Sequence, residues 1–188
     1  QTITVKQSGL KEILEMEREA LIAFYNATGG DNWTRNDNWC SDKPLNEWYG
    51  VSTNRGQVVD LVLNNNNLNG YIPEDIAKLS KLEFIQFGNN LLYGEIPYSI
   101  GNLQSLKFLE LERNRLSGSI PNSICKLTNL VSLRLNDNRL SGQIPADIGN
   151  LELLETLELS NYSIGPEGGE LDAFGPVPEV ERINHISG

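Results

Sequence analysis

At 188 residues the chain fits one domain. Its net charge of −10 and pI near 4.6 argue against nucleic acid and anionic membrane surfaces as partners, and no apolar run of about 18 residues is present to span a bilayer. With 2 cysteines and 1 histidine, neither a disulfide framework, a metal site nor a cofactor is expected.

In chain order, Gln1–Ser8 is polar and β-branched and reads as a flexible or weakly paired start. A first residue of glutamine fits signal-peptidase cleavage, although a chain trimmed in any other way would begin the same. Leu10–Asn26 follows as an amphipathic helix. Leu10, Ile13, Leu14, Leu21, Phe24 and Tyr25 fall near one face, Glu12, Glu15, Glu17 and Glu19 on a solvated one, and Gly29-Gly30 supplies the stop. Trp33, Trp39 and Trp48 then crowd into sixteen residues. They suit either a sugar-stacking platform or a lid over the open apolar end of a repeat array, and the lid is the stronger reading.

From Leu61 the sequence repeats every 24 residues. Leu61, Ile85, Leu109, Leu133 and Leu157 form one column, and Leu63, Phe87, Leu111, Leu135 and Leu159 a second. Asn66, Asn90, Asn114 and Asn138 come next, then Gly70, Gly94, Gly118 and Gly142, and then four Ile-Pro pairs ending at Pro73, Pro97, Pro121 and Pro145. A fixed period of this kind predicts a solenoid. Both strand leucines point inward because strand side chains alternate, and stacked neighbours bury what one unit cannot. The asparagine amide suits backbone groups left unpaired where the chain turns. Glycine suits a positive φ or a close backbone approach, and proline prevents the return limb from continuing as a central strand.

At the fifth unit the pattern decays: Tyr162 stands in the asparagine column and Pro166 in the glycine column. Val177-Pro178 with Val180 and Ile183 reads as a displaced return limb, a makeshift cap if the C-terminus is native, and His185 as solvated. The expected organisation is therefore residues 1–56 as an N-terminal segment and cap, 57–164 as repeats, four full and one degenerate, and 165–188 as an irregular C-terminal cap or truncated tail. Cys40 falls in the cap and Cys125 in the third repeat, at least two rungs apart, so both are expected as free thiols.

The Leu-x-Leu-x-x-Asn-x-Leu core and the Leu-Ser-Gly-x-Ile-Pro strings at Leu116–Pro121 and Leu140–Pro145 resemble the plant-type leucine-rich repeat family over roughly residues 21–164. The resemblance implies an α/β solenoid, a right-handed superhelix with a short parallel sheet on its concave face and an N-terminal helical cap. It implies a secreted or cell-surface protein, extracellular or periplasmic. Plant members usually carry a second cap cysteine just after Trp-x-Gly-Val. Here the segment runs Trp48-Tyr49-Gly50-Val51-Ser52-Thr53, a departure that favours a secreted bacterial or algal relative with a tryptophan-rich cap. The sequons at Asn26, Asn32 and Asn161 matter only where the source glycosylates secreted proteins.

No phosphate loop, nucleophile elbow or cysteine–histidine pairing is present, and carboxylates on an open solenoid surface have no cause for a raised pKa, so no enzyme is expected. Function is sought in the columns that point outward from the strands. There Phe84 and Phe108 stand one rung apart, surrounded by Gln86, Glu110, Glu112, Arg113, Ser132 and Arg134. The resemblance makes this the concave binding surface. An aromatic anchor with a polar rim is how protein interfaces are composed. Equally, the rings shield the sheet while Glu110, Arg134 and Glu158 pair across rungs as surface ions. The expected partner is a protein or peptide. The alternatives are a glycan, inhibition of a glycan-degrading enzyme, or a structural spacer in a larger surface protein. The chain is expected as a monomer or an end-to-end dimer.

Overall fold

The computed structural model describes the backbone of residues 2–160, 162–164 and 170–172, and the side chains of residues 8–160. Helix α1 spans Thr2–Ala27 and runs into two 3-10 turns, Gly30–Asn32 and Leu45–Glu47. Strands β1 (Val51–Asn54) and β2 (Gln57–Val62) form an antiparallel hairpin. Then come β3 (Phe84–Gln86), β4 (Tyr93–Gly94), β5 (Phe108–Glu110), β6 (Arg115–Gly118), β7 (Ser132–Arg134), β8 (Arg139–Leu140) and β9 (Thr156–Glu158). Strands β10 (Tyr162–Ile164) and β11 (Glu170–Asp172) pair antiparallel beyond them. A main sheet runs β1-β2-β3-β5-β7-β9, and a second small sheet runs β4-β6-β8. From β2 onward the main sheet is parallel, with each rung 24 residues from the last: Leu61 pairs with Ile85, Ile85 with Leu109, Leu109 with Leu133 and Leu133 with Leu157. This is the solenoid that the period predicts.

The columns have the roles their chemistry suggests. The strand leucines from Leu61 to Leu135 are fully buried, each worth about 1.5–3 kcal/mol of transfer free energy. Each Ile-Pro pair delivers the chain to a 3-10 turn whose flanking residue is the proline, as at Pro73 before Glu74–Lys78 and Pro97 before Tyr98–Asn102. The buried asparagines tie rung to rung. Asn90 Oδ1 accepts from the Asn66 and Leu68 amides at 2.9 and 3.0 Å. Its Nδ2 donates to the carbonyls of Leu63 and Phe87 at 2.9 and 2.8 Å. Glycine serves both anticipated ends. Gly94 has φ 80°, whereas at Gly70 a Cβ would sit 1.8 Å from the Ala27 carbonyl oxygen.

Helix α1 closes the N-terminal end as if it were a rung. Its last carbonyls would lack intrahelical partners, but Thr28 O accepts from the Asn69 amide at 2.9 Å and Ala27 O from the Tyr71 amide at 3.2 Å. Phe24 stacks on Phe87 with centroids 4.9 Å apart, Trp33 and Trp39 pack against Phe24, and Trp48 packs on Trp39, all buried. Trp33 Nε1 donates to Thr28 O and Trp39 Nε1 to Tyr49 O. All three tryptophans are thus buried among the aromatic side chains at the N-terminal end of the array.

Three expectations for this region need correcting. The segment before Leu10 is helical from Thr2, because β-branched residues cost a helix only tenths of a kcal/mol each and no proline interrupts it. Leu10 and Ile13 are exposed, at 43% and 37%, since this end of α1 extends past the sheet it covers further along. Glu17 leaves the solvated face altogether. It is wholly buried, and its Oε2 accepts from the Val58 amide of β2 at 2.9 Å. The degenerate fifth unit is described only through its short strands; Val177-Pro178 and His185 lie outside the described residues.

Candidate functional site on the strand face

The outward columns of the main sheet carry the site. Parallel pairing puts Asp60, Phe84, Phe108, Ser132 and Thr156 in one row across the rungs, and Val62, Gln86, Glu110, Arg134 and Glu158 in the next. Phe84 and Phe108 stack with centroids 4.7 Å apart and planes 7° from parallel, both half-buried. In the second row Gln86 Nε2 donates to Glu110 Oε2 at 2.7 Å, and Arg134 Nε lies 3.9 and 3.8 Å from carboxylate oxygens of Glu110 and Glu158. Ser132 is buried, with its hydroxyl 3.4 Å from Glu110 Oε1. The structure thus brings six of the eight expected residues into one patch on the strand face, with Glu112 folded over Gly88.

Arg113 sits at its rim and has a separate cause for notice. The column Asn65, Asn89, Arg113, Asp137 has left-handed backbone, with φ of 54–55°. Asparagine and aspartate tolerate that region, while a long side chain pays for it. Nothing local favours arginine there except its pairing with Asp137, at 3.4 Å across the rung.

Three polar side-chain atoms of the outward columns are shielded from solvent yet lack hydrogen-bond partners: Glu112 Oε2, Arg134 Nε and Asn136 Oδ1. Glu112 folds back so that its carboxylate covers Gly88, where a Cβ would approach its Oε1 to 2.3 Å. Asn136 was not among the expected site residues. Its column position, one rung from Glu112, was visible in the period, but its unmet acceptor was not. The two thiols are free, Cys40 exposed and Cys125 half-buried. Burial, followed by the nearby Asp31 and Asp147 carboxylates respectively, raises both above the ordinary thiol range. Among the described residues no group of acids, histidines or cysteines is placed to hold a metal ion, and no helix is long and apolar enough to cross a membrane.

Residues 55–167 match the family described as a leucine-rich repeat region. The chain belongs to the leucine-rich repeat family. No curated protein matches this leucine-rich repeat chain. Solved structures do. The BIR2 ectodomain of Arabidopsis thaliana superposes with TM-score 0.72 at 29% identity, covering 77% of this chain and 79% of that one. A plant ice-binding protein gives 0.71 at 32%, covering 77% and 47%. The ectodomain of the receptor kinase GASSHO1/SCHENGEN3 of Arabidopsis thaliana, in complex with CASPARIAN STRIP INTEGRITY FACTOR 2, gives 0.70 at 32%, covering 77% and 18%. The plant-type repeat is thus shared with plant receptor ectodomains.

Proposed function

We propose that this leucine-rich repeat chain is a non-enzymatic recognition module of a secreted or cell-surface protein, and that it binds a protein or peptide through the concave strand face. The carrying observation is the Phe84/Phe108 stack, half-open to solvent in the middle of that face. Aromatic residues, phenylalanine included, are enriched at protein interfaces relative to the rest of the surface. A relative solved with a bound factor supports the reading. Capture of a partner from the source organism by wild type, and its loss with Phe84→Ala/Phe108→Ala while circular dichroism stays unchanged, is the expected result. A partner retained by the variant moves the site elsewhere. The absent second cap cysteine favours a bacterial or algal source, although the solved structures named above are plant proteins.

A glycan is the second reading, and one feature favours it. A cleft of ≈ 680 Å³ runs along the flank over three Ile-Pro pairs, with Tyr71 and Glu74, then Glu95 and Tyr98, then Ser119 and Asn122 on its walls. Tyr71 and Tyr98 are exposed beside the Glu74 and Glu95 carboxylates, with Lys126 over the Tyr98 ring, and amphipathic rings among polar groups suit a hydroxyl-rich chain. Loss of glycan-array signal in Tyr71→Ala/Tyr98→Ala, with the phenylalanine variant unaffected, separates this site from the first. The outward columns differ from rung to rung, which disfavours a flat repetitive lattice such as ice as ligand. A second copy would stack end to end on Leu153 and Leu157, which are exposed; sedimentation of Leu157→Arg beside wild type reads that.

A further inference from the structure

The charges and unmet hydrogen bonds of the strand face narrow the class of partner, given the reading of that face as the binding surface. The outward columns carry the acids Asp60, Glu110, Glu112, Asp137 and Glu158 against the bases Arg113 and Arg134. Both arginines already have carboxylates beside them, Arg113 with Asp137 and Arg134 with Glu110 and Glu158. Among the described residues Asp60 and Glu112 have no cation paired with them. Asp60 is in register with Phe84, on the far side of the ring stack, and Glu112 lies two residues beyond Glu110 on the strand that carries Phe108.

The hydrogen-bond demand points the same way. Asn136 Nδ2 donates to Asp137 Oδ2 at 3.1 Å, which leaves Oδ1 as its unmet acceptor. Glu112 Oε2 is the other. The two residues share a column on adjacent rungs, tied by the Arg113 amide donating to Asn136 O at 3.0 Å, so they stand about 4.8 Å apart along the sheet. Both atoms are shielded in the free chain, so a partner reaches them only as the half-exposed Glu112 and Asn136 side chains turn outward, and two neighbouring acceptors then call for a forked donor. The rings supply the third contact. They stack along the rung axis, so the outer face of Phe108 turns towards the fourth rung, where its register partner is the short, 4%-exposed Ser132. The serine is short, and Phe108 stays half-exposed.

We infer that this surface takes an extended basic segment of the partner, with an arginine whose guanidinium stacks on the half-exposed Phe108 ring and draws Glu112 and Asn136 outward to accept from it. Arginine fits better than lysine. Its planar fork both stacks on aromatic faces and serves two acceptors at once, whereas an ammonium is a compact and strongly hydrated point charge. Asp60 draws a second basic residue to the other end of the stack. The overall charge of −10 adds long-range attraction for such a segment and raises its association rate.

The test is to pan a random dodecapeptide phage library on the whole chain, with Phe84→Ala/Phe108→Ala and Asp60→Asn/Glu112→Gln panned in parallel. Wild type is expected to enrich peptides containing arginine. The best peptide, remade with citrulline in place of arginine, should bind on the order of tenfold more weakly. A similar loss is expected with Asp60→Asn/Glu112→Gln, together with weakening as salt rises. Enrichment of acidic or uncharged peptides that still need the phenylalanines overturns the basic-segment inference and leaves the concave-face reading standing. So does citrulline binding as well as arginine. Peptides bound equally by the phenylalanine variant, or no enrichment at all, overturn both.

Discussion

The side chain of Asn66 holds the backbone of Arg35 at both ends: its Oδ1 accepts from the Arg35 amide at 2.8 Å and its Nδ2 donates to the Arg35 carbonyl at 2.9 Å. Asn114, in the same column two rungs on, instead accepts from the Leu92 amide at 2.9 Å and donates to the carbonyls of Phe87 and Leu111 at 3.0 and 3.1 Å. The first asparagine therefore fastens the cap loop to the solenoid, and the later ones fasten rung to rung. The two substitutions should behave differently. Asn114→Ala strands buried donors and acceptors in the middle of the array and should cost about 2–3 kcal/mol. Asn66→Ala opens onto an exposed loop that water can reach, and about 1 kcal/mol is expected. Denaturant unfolding of both variants checks the order. Hydrogen exchange should show the Asn66→Ala loss confined to the cap.

Much of this was legible in the sequence, and the reason is the period. A column that recurs every 24 residues reports its own burial, so the leucines, asparagines, glycines and Ile-Pro pairs identified the solenoid, and the step from Phe84 to Phe108 put two rings on adjacent rungs. Residues that occur once had no such signal. Glu17 reads as one more acid on a helix, since nothing in its neighbourhood reveals that the Val58 amide, 41 residues away, needs an acceptor. The β1–β2 hairpin was missed for a similar reason. Its turn residues Arg55 and Gly56 both have positive φ, 52° and 85°, but only the glycine advertises that from its chemistry. At the binding face the charges were visible, whereas the unmet acceptors of Glu112 and Asn136 depend on side-chain placement.

Glu17 gives a pH-dependent prediction. Burial raises its pKa above the ordinary 4.5, with the Val58 amide and then Gln57 opposing the rise. A carboxyl with a higher pKa folded than unfolded binds more protons in the native state between those two values. Its contribution to stability is therefore greatest below about 4.5 and falls as pH rises through the folded value. Relative to wild type, Glu17→Gln should gain stability as pH rises from 4 towards 7. Urea midpoints of the two proteins across that range check the sign, and a difference that stays flat would show that Glu17 does not titrate there.

The thiols should report the cap and the third rung separately. Both are free, and both are raised above the usual thiol range, so the reactive thiolate is scarcer than in an unperturbed cysteine at neutral pH. Ellman titration of the native protein should show Cys40 reacting first, because it is exposed, and Cys125 lagging. Both should react more slowly than free cysteine, and the two should converge in denaturant. Cys40→Ser identifies which phase is which.

Two glycines of the repeat separate close approach from simple absence of a side chain. At Gly70 an added Cβ would lie 1.8 Å from the Ala27 carbonyl oxygen and 2.8 Å from the Thr28 Cα, both backbone atoms at the end of α1 that cannot swing aside. Gly70→Ala must push the helix terminus off the first rung. That breaks the bond from the Tyr71 amide to Ala27 O and disturbs the packing of Phe24 on Phe87. A loss of about 3 kcal/mol or more is expected, in line with overpacking against an unyielding neighbour. At Gly149 no heavy atom lies within 4 Å of the added carbon and φ is not in the left-handed region. Gly149→Ala should therefore be neutral or stabilise by about 0.4–1 kcal/mol, through the entropy removed from the unfolded chain. Thermal unfolding of the pair reads both effects. A mild Gly70→Ala would mean that α1 is not seated on the first rung in solution.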